Sequence, residues 1–263
     1  MAVLPRITSV QNPRIKSLLL LEKARERKRY KKFVVEGQKE IVMALEGDYF
    51  FEEIFFCPEI ISLEKVEQML KKDSPIIPVG IEVFEKIAYR KTTGGLLGVA
   101  RQKEHPLEGI RLRENPLILI VEAVEKPGNL GALLRTADAC AVDGVILCDP
   151  QTDFYNPNVV RSSLGCVFTV PLAISSREEI LSWLKKLNIA VFSAHLMAEK
   201  LYYDVDFKGP SALVLGTEAT GLTTIWSEPP NQRILIPMEG KIDSLNVSIA
   251  AAILLFEAKR QRA

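Results

Sequence analysis

From Leu117 onward, short apolar runs alternate with segments of helical periodicity, and this alternation limits the fold more than any other feature of the chain. Leu117 to Ala123 is a continuous apolar run with a single acid. Leu130, Leu133, Leu134, Ala137, Cys140 and Ala141 then fall on one face of a helix expected from about Leu130 to Val142. Gly144 to Cys148 reads as the next strand and Ile180 to Leu187 as a helix. Further strands are expected at Ile189 to Ala194, Ala212 to Gly216 and Arg233 to Pro237, and a last helix from about Ser244 to Lys259. Strands that are apolar on both faces and separated by helices imply a mostly parallel sheet, covered on both sides, in an α/β fold.

The earlier part of the chain predicts a smaller α/β module. It has a helix from about Asn12 to Tyr30, a strand at Phe33 to Val35, a helix at Gln38 to Leu45, and strands at Ile54 to Phe56 and Leu96 to Ala100. The polar residues 104–115, with Pro106 and Gly109, read as a linker between a first domain at 1–103 and a second at 116–263. A chain of 263 residues is long enough for two such cores. No apolar run approaches the ~20 residues of a membrane-spanning helix, and the first residues lack the apolar core of a signal peptide, so a cytoplasmic location is expected.

A net charge of +1 conceals an uneven distribution. Residues 1–32 carry ten Lys and Arg against Glu22 and Glu26, which leaves the remainder acidic. Arg25, Arg27, Lys28, Arg29, Lys31 and Lys32 stand close together. Such a stretch neutralises phosphates and draws in nucleic acid by counterion release, although a solvated helix face has the same composition. Cys57, Cys140, Cys148 and Cys166 show no CxxC spacing, and only His105 and His195 could join them, so no metal site is expected. Cys140 and Cys148 fall in apolar segments and read as small buried hydrophobes. The two histidines sit in no recognisable motif, which leaves a Ser/His/Asp hydrolase without an evident base.

Ligands of open α/β sheets bind beyond the carboxyl ends of the strands, and three loops there stand out. The first, Glu125-Lys126-Pro127-Gly128-Asn129-Leu130-Gly131, leads into a helix with Asn129 as the expected N-cap and Arg135 expected one turn in. Taken alone, it is an ordinary glycine-rich turn. The second, Gly216-Thr217-Glu218-Ala219-Thr220-Gly221-Leu222, sets Glu218 between two glycines that allow close backbone approach, though a solvated loop acid reads equally well. The third runs from Ile236-Pro237-Met238 through Gly240 to Ser244-Leu245-Asn246, with Ser244 as the expected N-cap of the last helix.

In order and spacing these segments resemble the three signature motifs of the SpoU (TrmH) branch of the SPOUT methyltransferases. Pro127 to Ala137 carries the first, Leu213 to Leu222 the second, and Ile236-Pro237-Met238 with Gly240 and Ser244 to Ala251 the third. The likeness extends from Leu117 to the C-terminus. More loosely, Asn12-Pro13 with Lys16, and Phe33-Val34-Val35-Glu36-Gly37, are similar to the family's substrate-binding domain. Glu125 stands where many relatives have Asp.

The resemblance implies a C-terminal parallel-sheet SPOUT domain with a deep trefoil knot, an exception to the rule that chains do not knot, preceded by a smaller α/β RNA-binding domain. It also implies a homodimer packed through the catalytic domains, with each active site near the interface. The implied reaction is S-adenosylmethionine-dependent methylation of an RNA ribose 2′-hydroxyl without a metal. Leu215, Gly216, Ile236, Met238, Ser244, Leu245 and Asn246 would hold the cofactor, largely through backbone groups, with Gly216 and Gly240 permitting close approach. Arg135 falls on the family's catalytic arginine. Because a guanidinium stays charged far above neutral pH, orienting a phosphate and stabilising an alkoxide suits it better than acting as a base. Asn129, Glu218, Ser244 and Asn246 fall on the other functional positions. Arg161 lies where the family often keeps a substrate-side arginine, and Arg25, Arg27, Lys28 and Arg29 become the grip on RNA. Large-subunit ribosomal RNA is the expected substrate, with transfer RNA as the alternative.

Two other classes fit less well. Gly128 and Gly131 open a helix after a strand and Asp149 follows about 20 residues later, as in a dinucleotide-dependent oxidoreductase, but the spacing is not GxGxxG and the other two loops stay unexplained. A catalytically silent RNA-binding relative is opposed by the presence of Asn129, Arg135, Glu218, Ser244 and Asn246.

Overall fold

The computed structural model describes residues 4–70, 75–89, 94–216 and 221–263. In chain order the elements are α1 (Pro13–Leu20), α2 (Ala24–Tyr30), β1 (Lys32–Glu36), α3 (Gln38–Glu46), β2 (Phe51–Phe56), α4 (Leu63–Met69), β3 (Ile76–Pro78), α5 (Ile81–Ile87) and β4 (Leu96–Arg101). There follow β5 (Leu117–Glu122), α6 (Pro127–Ala139), β6 (Gly144–Cys148), α7 (Pro157–Ser162), α8 (Cys166–Thr169) and β7 (Leu172–Ser175). The last are α9 (Arg177–Lys186), β8 (Ala190–Ala194), β9 (Ser211–Leu215), β10 (Gln232–Ile234) and α10 (Val247–Gln261). The chain divides into two compact units, residues 1–104 with 153–169 and residues 105–152 with 170–263.

The first unit is built on a sheet of order β1-β4-β2-β3, in which β4 runs antiparallel to β1 and β2, and β3 parallel to β2. Ile15 and Leu18 of α1 and Val83 and Phe84 of α5 share one core cluster with Phe55, Leu97 and Val99 of the strands. A second cluster is aromatic. The ring of Phe33 in β1 lies 4.2 Å from Tyr155 and 5.9 Å from Phe168, and Tyr49 lies 5.1 Å from Phe168, so residues 153–169 supply part of this unit's interior.

The helix expected over residues 12–30 is two helices, and Arg27 explains the break. Helix α1 starts at the Asn12 cap and Pro13 and stops at Leu20. The carbonyls of Leu21 and Glu22, left without helical partners, both accept from Arg27 Nη1 at 2.7 Å. Arg27 is 1% exposed, and its guanidinium pairs with Asp153 at 2.6 Å. Arg27 therefore leaves the set of RNA-facing cations, because its donors are spent inside the fold.

In the second unit every neighbouring pair of strands is parallel, in the order β10-β8-β9-β5-β6-β7. Strands β5, β6 and β9 are buried along their whole length, as their unbroken apolar runs require. Leu107 and Ile110, from the stretch read as a linker, are buried in the core of this unit with Ile118 and Ile120. Helix α9 begins earlier than expected because Ser176 and Glu179 close a reciprocal capping box. The last expected strand is shortened to β10, and the segment after it is irregular up to α10.

Candidate active site at the carboxyl rim of the parallel sheet

In a parallel sheet the carboxyl ends of all strands open on one rim, and the loops after β8, β9 and β10 meet there. Together with the start of α10 they enclose a cavity of about 460 Å³. Leu215 and Gly216 end β9 and begin its loop, Gly221 and Leu222 form the far limb of that loop, and Ile236 and Met238 follow β10. Ser244, Leu245 and Val247 close the remaining wall. Six of the seven positions expected to hold a cofactor therefore line one space. Asn246, the seventh, is not part of its lining.

The glycines act differently from one another. A Cβ on Gly216 would stand 2.2 Å from the Gly221 carbonyl oxygen, so the close approach that Gly216 permits is between two limbs of its own loop. Gly221 has φ +67, the left-handed region where glycine pays no steric penalty. A Cβ on Gly240 would meet nothing within 4 Å, so packing among the described residues does not require glycine there.

Ala194, His195, Leu196 and Met197, after β8, also line the cavity and were missed in the sequence. The His195 main-chain N–H donates to Ile234 O at 2.9 Å, and its Nδ1 accepts from Met197 N at 3.1 Å, which fixes both the loop and the ring. No motif marks this segment. The general rule that ligands gather beyond strand ends was the available signal, and applying it to β8 as well would have found the loop.

The first motif is placed one turn earlier than expected. Lys126, not Asn129, is the N-cap of α6, with Pro127 at the first helical position, so Arg135 lies about two turns in. Asn129 Oδ1 accepts from Asn246 Nδ2 at 3.1 Å, which ties the start of α6 to the start of α10. Asn246, not Ser244, caps α10, its Oδ1 accepting from Ser248 N at 3.0 Å and Ser248 Oγ at 2.6 Å. Arg135 is exposed, has no ion-pair partner among the described residues and does not line the cavity. Glu218 lies outside the described residues.

In the first unit the Arg161 guanidinium sits 5.9 Å from the Tyr89 ring centroid, and Arg25, Lys28 and Arg29 are exposed on α2. All four cysteines are buried, and burial, reinforced by Asp149 and Glu122, pushes the Cys148 thiol up to about 12, far from thiolate chemistry. Among the described residues no group of three His, Cys, Asp or Glu side chains is placed to hold a metal, and no helix is long and apolar enough to cross a membrane.

An all-parallel sheet with a ligand-sized cavity made by loops at its carboxyl rim defines an α/β domain of the small-molecule-binding type, here joined to a smaller α/β unit. Residues 116–256 match the model of the SpoU rRNA Methylase family, and residues 12–98 match the MRM3-like substrate binding domain. The chain belongs to the SpoU methylase family. It is 27% identical over 254 residues to the 23S rRNA (guanosine(2553)-2′-O)-methyltransferase RlmP of Bacillus subtilis, covering 97% of this chain and 99% of that protein. Among solved structures, an RNA 2′-O ribose methyltransferase is 38% identical with a TM-score of 0.84, covering 98% of this chain and 99% of the other. The AdoMet-bound rRNA methyltransferase from Sinorhizobium meliloti is 30% identical with a TM-score of 0.90, covering 99% of each chain.

Proposed function

We propose that this protein is an S-adenosylmethionine-dependent methyltransferase that modifies a ribose 2′-hydroxyl of large-subunit ribosomal RNA. The observation that carries this reading is the convergence of Leu215, Gly216, Ile236, Met238, Ser244 and Leu245 on one cavity. Its volume of about 460 Å³ falls in the range of small-molecule sites, and its lining mixes apolar side chains with Ser244, Asp243 and loop backbone, which suits a nucleoside-containing ligand. The bound donor supplies a methyl group on a sulfonium. The protein's task is then to orient that group against a ribose oxygen and to stabilise the charge that develops there.

Arg135 is assigned to the second task, and Asn129, Glu218, Ser244 and Asn246 to arranging the ribose, the arginine and the donor. Since Arg135 lies outside the cavity of its own chain, a homodimer through the catalytic domains is part of the proposal. Ile249 and Phe256, exposed at 52% and 53% on α10, suit such an interface. We also propose the trefoil knot. The chain leaves β9 for the edge strand β10 and returns to lay α10 against α6, β9 and β5, a path compatible with threading. Arg25, Lys28, Arg29 and Arg161 grip RNA phosphates, and the cytoplasm is the assigned location.

Donor calorimetry and methyl incorporation into RNA test the reading together. Arg135→Ala is expected to bind S-adenosylmethionine nearly as the parent does while transferring methyl about 10²–10³-fold more slowly, the usual cost of removing a charge-stabilising donor. Equal transfer rates would reject the role of Arg135. No donor uptake by the parent, even with RNA present, would reject the function, and mapping ribose methylation across cellular RNA decides between ribosomal and transfer RNA.

A further inference from the structure

Glu122 ends β5 in the interior of the parallel sheet and is 2% exposed, and no sequence motif includes it. A carboxylate is buried at such a place only when its charge is well compensated. Oε2 accepts from Thr223 N and Oε1 from Thr223 Oγ1, both at 2.8 Å, while Arg177 Nη1 lies 3.9 Å from Oε1. Arg177 is held in turn by Asp149, 3.0 Å from its Nη2. Thr223 directly follows Gly221 and Leu222, which line the cavity, and the Gly221 carbonyl packs onto Gly216.

We infer that Glu122 and Thr223 form a clasp that holds the Gly221–Leu222 wall in its donor-binding position, so that both are positioning residues for the methyl donor. The inference rests on the donor reading above. Two parallel hydrogen bonds from one residue fix both the place and the rotation of the Leu222–Thr223 peptide, and Thr and Ser are the residue types whose own N–H and short hydroxyl make that grip. The wall belongs to a loop, whereas Glu122 belongs to a fully buried strand. The clasp therefore transmits the rigidity of the sheet to a segment with no ladder of its own. Loss of the clasp frees the loop and leaves the sheet intact.

Thr223→Val keeps the side-chain shape and removes the hydroxyl, while Thr223→Ser keeps the hydroxyl. The Val variant is expected to bind S-adenosylmethionine about tenfold more weakly by calorimetry, the scale of a hydrogen bond to a charged group, with RNA affinity close to the parent and a thermal midpoint lowered by only the few degrees that one lost bond to a buried carboxylate costs. The Ser variant should restore donor binding. Glu122→Gln should weaken donor binding in the same sense, and the double variant should lose less than the two singles combined, because both remove one interaction. Donor KM should rise while kcat at saturating donor is kept. Parent-like donor affinity in Thr223→Val overturns the clasp. A fall in RNA affinity in step with donor affinity, with a thermal midpoint lowered well beyond those few degrees, overturns it as well, since Thr223 would then only support the fold. A parent that takes up no donor overturns the underlying reading, an outcome distinct from both.

Discussion

Truncating Arg27 removes the cation that pairs with Asp153 Oδ2 and the donor shared by the carbonyls of Leu21 and Glu22, leaving Asp153 with Tyr155 N and water. Arg27→Ala is expected to cost about 2–4 kcal/mol in urea unfolding, given that Asp153 keeps 26% of its side chain in water. Arg25→Ala and Arg29→Ala, at exposed positions, should stay within about 0.5 kcal/mol of the parent and lose RNA affinity instead. A mild Arg27→Ala phenotype would contradict the structural role. Nothing in the basic stretch could single out Arg27, because the partner that decides its fate lies 126 positions away. The loops that line the cavity were legible for the opposite reason, being contiguous segments that a parallel sheet must place on one rim, with the resemblance singling out the residues within them. Even there, local spacing misled at the caps: Asn246 does the work expected of Ser244, while Lys126 takes the position expected of Asn129 without a side-chain cap bond. Gly216→Ala would drive a Cβ into the Gly221 carbonyl, and a calorimetric loss of donor affinity beyond tenfold is the expected result.

Strands β5, β6 and β9 of the second unit were legible because they are buried on both faces and leave an uninterrupted apolar signal, whereas the four-residue β7 was missed. Helices α4, α5 and α7, with 7, 7 and 6 residues, are too short to establish a period, and they were missed along with the three-residue β3. One link between elements predicts a pH dependence. Asp143, just before β6, accepts from Leu117 N at 2.8 Å and from Arg113 Nε at 2.7 Å, joining the start of β5 to the start of β6. Burial pushes the Asp143 carboxyl up, but the hydrogen bonds from Arg113 and the two backbone amides outweigh it and leave it below its ordinary value. A carboxyl lowered on folding contributes stability that is present above its unfolded pKa of about 3.9 and is lost as pH falls through the lower folded value. Asp143→Asn should therefore be less stable at pH 7 and show a shallower loss of stability below pH ~4, measured by denaturant unfolding across that range. Parallel pH profiles for the two proteins would refute the assignment.

For the molecule as a whole, the proposed homodimer makes a sharp expectation. Phe256→Glu puts a charge on the exposed apolar stripe of α10, and sedimentation should find the variant dissociating at concentrations where the parent stays paired, with transfer activity lost in step. A monomeric parent would remove the dimer from the proposal. The path of the chain has its own consequence. Residues 153–169 leave the second unit between β6 and β7 to join the first, so the polypeptide passes from one unit to the other three times. A fragment cut after residue 104 would forfeit Tyr155 and Phe168 and expose Phe33 and Tyr49. The smaller unit thus cannot be exchanged as a cassette by a single recombination point. A lineage that adopts a new target must do so by altering side chains in place, since a borrowed head would arrive without the strip of interior that the body's own chain provides.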